Sequence, residues 1–309
     1  RLVQVGRVPV ERQAAREARV VAIRPVAYKV STLGATAPGK RRQKCAAGKR
    51  QTGTDSGSML VLIACFPKSG STFVSAVISK LPGYQRANFN EWVGTLPNIT
   101  VPEIPLSSRR EQELSNYVVE QYRGADVVAQ HHVKASVFTL QLIRRHQIAT
   151  IVLVRNIFDC VISFADHLMR ESPEVPWIYL DESIRQKSDQ FRYDAIVDLV
   201  CPWYIDFYVS WVKNRPQDIY RYEDVVLAGP AALHAMLTKA GITVPAGTGT
   251  RSVTLRDVEA ALPASAPDSI RLNVGIAGRG EQLLSAANKA HLRRLAAHHP
   301  DVDFSPIGL

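Results

Sequence analysis

Nowhere does this chain reach the run of about 18 consecutive apolar residues that a membrane-spanning helix requires, so no span is expected. The N-terminal residues are basic but contain no apolar segment of the kind a Sec-type signal peptide carries. Without a secretion route the sequon Asn98-Ile99-Thr100 reads as chance. Cysteine is scarce: Cys45, Cys65, Cys160 and Cys201 are too few and too widely spaced for a disulfide scaffold or a zinc site. Buried free thiols in a reducing, cytoplasmic setting are the expectation. The eight histidines include the adjacent pairs His131-His132 and His298-His299, yet neither has partners at ligand spacing, so no metal is expected.

The net charge of +10 is unevenly placed. Residues 1–58 hold 13 of the 38 Lys and Arg and only 3 of the 28 Asp and Glu, which leaves 25 of each sign in residues 59–309. The basic character therefore belongs to the N-terminal segment, and no nucleic-acid partner is expected for the rest. Residues 1–58 read as a basic, disordered tail or as a segment not native to the folded protein, since the first methionine, Met59, directly precedes the first strong strand.

From Met59 onward the pattern changes. MLVLIACF (59–66) is a continuous apolar run, as a strand covered on both faces requires. Strands are also expected over 126–133, 150–156 and 218–225. Helices are expected over 72–80, 136–146, 159–169, 202–213 and 231–240. Strands alternating with helices predict an α/β domain over 59–309. It would have three layers, with a mostly parallel central sheet and helices on both faces, like a P-loop nucleotide-binding fold. Residues 84–110 and 170–200 read as irregular or mixed, available as lids.

The first strand ends in Pro67-Lys68-Ser69-Gly70-Ser71-Thr72, at the carboxyl edge where open parallel sheets bind ligands. Small residues there let backbone N–H groups approach an anion, the next helix adds its positive end, and Lys68 adds a full cation. This is phosphate chemistry but not a Walker A loop, in which Lys follows the second Gly. A P-loop kinase-like phosphotransferase is thereby disfavoured.

PKSGSTF (67–73) resembles the PKSGTTW loop of PAPS-dependent sulfotransferases, enzymes that move a sulfuryl group from 3′-phosphoadenosine 5′-phosphosulfate (PAPS) and release PAP. VLVRNIFDCVISFADH (152–167) resembles the strand, loop and helix of that family in which an Arg and a Ser eight residues apart hold the 3′-phosphate, here Arg155 and Ser163. An ion pair between Arg155 and Asp159 is the structural alternative. PWYIDFYVSWVKNRPQDIYRYEDVV (202–226) is similar to the long helix and YED strand of the family, and RLNVGIAGRGEQ (271–282) to its RKGxxGDWK loop. In that last segment Asn273-Val274 replaces the Arg-Lys pair and Gly280 replaces the Trp, with Arg271 and Arg279 flanking as substitute cations.

The resemblance implies a nucleotide site of Lys68, Ser69, Gly70, Ser71, Thr72, Phe73, Arg155, Ser163, Tyr222, Arg271 and Gly275. Phe73 stands where the family has Trp, and Tyr222 would lie near the adenine. It implies that Lys68 neutralises the leaving phosphate and that a His at the end of the second predicted strand is the general base. In AQHHVKAS (129–136) the alignment picks His132, with His131 as rival and Glu91 as the carboxylate alternative. The implied reaction carries sulfuryl to a hydroxyl or amine of a small-molecule or glycolipid acceptor, without metal. A homodimer is left open, as is a nucleotide-binding module that has lost turnover. Tyr84, Phe89 and Trp92 are either acceptor-stacking rings or core.

Overall fold

The computed structural model describes residues 58–89, 112–170, 182–262 and 276–309. Strand β1 (Leu60–Cys65) is buried along its whole length, and helix α1 (Ser71–Ile78) follows it. Next come β2 (Gln85–Ala87), α2 (Asn116–Gln121), β3 (Val127–His131), α3 (Val137–Arg145), β4 (Ala149–Val154) and α4 (Ile157–Arg170). The chain continues through α5 (Asp189–Leu199), α6 (Cys201–Asn214), β5 (Ile219–Arg221), α7 (Tyr222–Val225) and α8 (Pro230–Lys239). It closes with the hairpin β6 (Thr243–Ala246) and β7 (Gly249–Ser252), then α9 (Leu255–Ala261), α10 (Arg279–Leu283) and α11 (Ala286–Ala296).

The main sheet has the order β2-β3-β1-β4-β5, and all four pairings are parallel. Strand β1 lies in the middle because it is the most completely apolar, with Ala64 paired both to His131 of β3 and to Val152 of β4. Its side chains alternate between two cores, as the period of a strand demands. Leu60, Leu62 and Ala64 pack with α3, α4, α5, α6 and α11. Val61, Ile63 and Cys65 pack with α1, α8 and α9. The three-layer α/β arrangement read from the sequence is the one observed.

Three segments differ from expectation. Residues 170–200, read as irregular or mixed, contain a helix to which the sequence reading sets no bounds: α5 occupies Asp189–Leu199, started by Ser188, whose side chain accepts the Phe191 N–H. Its buried stripe is short (Tyr193, Ile196, Val197), so the apolar period is easily overlooked. The strand expected over 218–225 stops at Arg221, where α7 begins with Glu223 and Asp224 in its first turn. Within 84–110, Gln85–Ala87 forms an edge strand on β3, while residues 90–111, including Glu91 and Trp92, lie outside the described residues. Tyr84 and Phe89 are core, one in each hydrophobic cluster.

Helix α6 braces the carboxyl edge of the sheet. Its aromatic residues Trp203, Tyr204, Phe207, Tyr208 and Trp211 are all buried. Tyr204 stacks on Phe66 at 4.8 Å between ring centroids and donates its hydroxyl to the Pro67 carbonyl at 3.1 Å. Trp211 donates its indole N–H to the Val133 carbonyl at 3.0 Å, and Ser210 accepts the Ala135 N–H at 3.0 Å. One helix thus fixes both the loop after β1 and the segment after β3.

Candidate active site

The loop after β1 turns through two left-handed residues, Lys68 (φ 70°) and Gly70 (φ 78°). Such a φ strains Lys68 but not Gly70. Glycine is required at 70 for a second reason: a Cβ there would sit 2.6 Å from Cδ2 of the Tyr222 ring. Ser69 is buried and turns inward, its hydroxyl donating to the Phe66 carbonyl at 2.8 Å and its N–H to the same oxygen at 3.3 Å. Ser69 therefore shapes the turn. Ser71 opens α1, and its hydroxyl oxygen accepts from the Gln130 amide at 2.9 Å, so its own hydrogen can be given to a ligand. The first turn of α1 has no side-chain cap and no acidic residue, which leaves its N–H groups and positive end for an anion. Thr72 and Phe73 are half-buried, with Phe73 against the second core.

Arg155 immediately follows Val154, the last residue of β4, and is 8% exposed. It donates from Nη1 to the Lys68 carbonyl at 3.2 Å and from Nη2 to the Ile276 carbonyl at 3.4 Å. Its guanidinium lies over the Tyr222 ring, 4.5 Å from the centroid. Its Nε–H is buried and has no hydrogen-bond partner among the described residues. A buried charged donor left unpaired is costly, and such a group commonly marks a place where a ligand completes the set. The ion pair with Asp159 is present, at 3.8 Å. Ser163 is buried two turns into α4.

The two histidines diverge, as strand neighbours should. His131 accepts the Phe89 N–H on Nε2 at 2.9 Å, and its ring lies in the core beside Phe89. Burial, reinforced by the neighbouring His132, pushes its pKa down to about 3, so it is neutral. His132 stands just past β3, half-buried, with its ring edge-on to Trp203. Its Nδ1 is 2.9 Å from the Cys65 carbonyl, and its N–H donates to the Gln112 side chain at 3.1 Å. Burial lowers its pKa, the Cys65 carbonyl opposes this, and the charge of Lys68 lowers it further. His132 and Lys68 thus share one electrostatic neighbourhood, from which His131 is turned away.

No family model and no curated protein matches this chain. Solved structures do. Mouse sulfotransferase SULT7A1, complexed with PAP, superposes with a TM-score of 0.53 over 82% of this chain and 88% of its own, at 14% identity. The fold is that of the sulfotransferases. A sulfotransferase from Alicyclobacillus acidocaldarius aligns over 78% of this chain and 96% of its own at 13% identity, with a TM-score of 0.37.

Within this sulfotransferase fold, the strand ends bring together Lys68, Ser69, Gly70, Ser71, Arg155 and Tyr222, with His132 one strand over, just past the end of β3. Tyr222 lies under the loop, filling the space at Gly70 and meeting Arg155. Arg271, Gly275 and Glu91 lie outside the described residues. Arg279, read from the sequence as a substitute cation, is paired with Asp166 of α4 at 2.8 Å. Gly280 is forced by packing, because a Cβ there would lie 2.2 Å from the Phe158 carbonyl carbon, and no Trp fits so close to the backbone of α4. The residue whose importance the sequence reading missed is Asp159, which accepts the N–H groups of Gly278 at 2.8 Å and Gly280 at 2.7 Å. Its signal was an acid four residues past the strand-end Arg, in the first turn of a helix. Among the described residues there is no group of three or more metal-ligating side chains, and no single helix is long and apolar enough to cross a membrane.

Proposed function

We propose that this chain is a PAPS-dependent sulfotransferase that carries a sulfuryl group to a hydroxyl or amine of a small-molecule or glycolipid acceptor. The observation that carries this reading is Arg155: a buried guanidinium at the end of β4, tied to the Lys68 carbonyl, with an Nε–H that has no partner among the described residues. Such a fork suits a phosphate, and its tether to the loop after β1 holds two anion sites side by side. The PAP bound in the mouse neighbour agrees with two such sites.

PAPS, when bound, supplies the sulfuryl group and leaves as PAP. The N–H groups that open α1 and the hydroxyls of Ser71 and Thr72 hold the 5′-phosphosulfate end, on the turn set by Ser69 and Gly70. Arg155 and Ser163 hold the 3′-phosphate, joined by Arg271 and Gly275 of the following loop. Phe73 and Tyr222 flank the base. Lys68 neutralises the negative charge that develops on the leaving phosphate, where a positioned cation counts most. His132 accepts the acceptor proton on Nε2, its neutral form being favoured by burial and by Lys68. The reading invokes no metal.

The proposed setting is a reducing cytoplasm, with residues 59–309 as the catalytic domain, 1–58 as a basic tail and homodimerisation as the assembly to examine. Burial pushes the thiols of Cys65 and Cys160 up to about 12 and that of Cys201 well above its ordinary value, so all three stay protonated and unreactive.

Calorimetric titration of the full chain with PAP and with AMP tests the reading. PAP should bind at least about tenfold more tightly, since a well-formed charge-assisted site contributes on that scale. Equal affinity for the two nucleotides, or binding of neither, would overturn it. Incubation with labelled PAPS and a panel of hydroxylated and amine compounds then identifies the acceptor class.

A further inference from the structure

The carboxylate of Asp159 is 2% exposed and cannot touch a nucleotide. It nevertheless sits between the two things a 3′-phosphate would meet. On one side is Arg155, 3.8 Å away. On the other is the segment leading into α10, whose Gly278 and Gly280 N–H groups it accepts on separate oxygens. Arg155 grips the same segment at the Ile276 carbonyl. Three of the hydrogen bonds that hold residues 276–280 therefore pass through the Arg155–Asp159 pair, and a fourth ties Arg279 to Asp166 on α4. The left-handed φ of Gly278 (84°) and the contact of Gly280 with the Phe158 backbone leave this segment few other ways to lie.

We propose that Asp159 is a positioning residue for discrimination of the 3′-phosphate. Resting on the PAPS reading above, it aims Arg155 and latches the 276–280 segment over the same anion. It acts through Arg155 and the two amides, not by contact with ligand. The loss of the Arg-Lys pair at 273–274 makes that aim matter more here, because Arg279 is already paired with Asp166. An acid in the first turn of α4 also favours the helix itself, so the test must separate positioning from stability.

The test uses the full chain with Asp159→Asn, which keeps the shape but removes the charge and one acceptor. PAP and AMP affinities are read by calorimetry and stability by thermal unfolding. PAP should weaken by about tenfold or more while AMP stays within about twofold, since each loss of a charge-assisted bond shifts binding on that scale. Parallel weakening of both nucleotides would mean a structural role only and overturn the proposal, as would an unchanged preference. Should the variant not fold, amide exchange in the wild-type chain decides. Gly278 and Gly280 should be protected at least about fivefold more by PAP than by AMP, and equal protection would overturn the latch. A wild-type chain that does not prefer PAP sinks the functional reading itself, and this role with it. A wild-type preference that survives in Asp159→Asn sinks this role alone.

Discussion

His132 holds its Nδ1 2.9 Å from the carbonyl oxygen of Cys65. A carbonyl only accepts, so Nδ1 carries the proton and Nε2 keeps its lone pair. The backbone of the central strand thereby selects the tautomer that a general base needs, as an orienting carboxylate does in other sites. His131 has the opposite arrangement, with Nε2 spent on the Phe89 N–H inside the core.

The first prediction follows from this asymmetry. In His132→Asn the side-chain amide can still donate to the Cys65 carbonyl, but the proposed base is gone. Sulfuryl transfer from labelled PAPS should fall by about 10²–10⁴ while PAP affinity holds within about threefold. A variant that keeps its turnover would move the base elsewhere, with Glu91 the next candidate.

Arg155 yields the second. Lysine keeps the charge but lacks the fork that reaches the Lys68 and Ile276 carbonyls while leaving Nε–H for a ligand. Arg155→Lys should lose about tenfold or more in PAP affinity and little in AMP affinity, as calorimetry would show. If lysine serves as well as arginine, the site reads charge alone.

Much of this was legible in the sequence, and what was not has physical reasons. The apolar run over 59–66 could only be a strand covered on both faces, and the loop that follows it could only present small residues and one cation. The adjacent pair His131-His132 was ambiguous, because alternation says that the two diverge but not which one faces the site. The partners that tell the two rings apart, Phe89 for His131 and Cys65 for His132, lie far away in sequence. Gly280 read as the loss of a family Trp. Its cause is the Phe158 backbone, 122 residues earlier, which no local pattern reveals. Helix α5 was hidden by its polar surface, although Ser188 followed by Tyr193, Ile196 and Val197 is a cap and a stripe.

The third prediction concerns the two glycines. Alanine at 280 meets backbone, which cannot give way, whereas alanine at 70 meets a side-chain ring but must also adopt φ 78°. Gly280→Ala should destabilise the fold by about 1–3 kcal/mol, the usual range for overpacking, read as a fall in unfolding temperature. Gly70→Ala should act chiefly on the site, displacing Tyr222 and weakening both PAP and AMP. Unfolding of Gly280→Ala at the wild-type temperature would mean that the α10–α4 contact has room for a methyl group.

The last prediction is a pH dependence of stability. His131 has an ordinary pKa of 6.5 and a folded value of about 3, set first by burial and then by His132. The folded state thus binds the proton less well than the unfolded state. Its contribution is fully present above pH 6.5 and is lost progressively as pH falls from 6.5 towards 3, at up to about 1.4 kcal/mol per pH unit for one group. His132 and His146 are shifted in the same direction by burial and add to the slope. Asp257 and Asp301, paired with Arg251 and Lys213, and Asp303, hydrogen-bonded to Ser305, are shifted down from 3.8 and act mainly below pH 4. Urea unfolding between pH 7 and 4.5 therefore reads the histidines. Glutamine at 131 can still accept the Phe89 N–H but does not titrate, so His131→Gln should flatten the fall in midpoint without abolishing it. An identical slope in the variant would mean that His131 is protonated as easily in the folded protein as in the unfolded one, contrary to its burial.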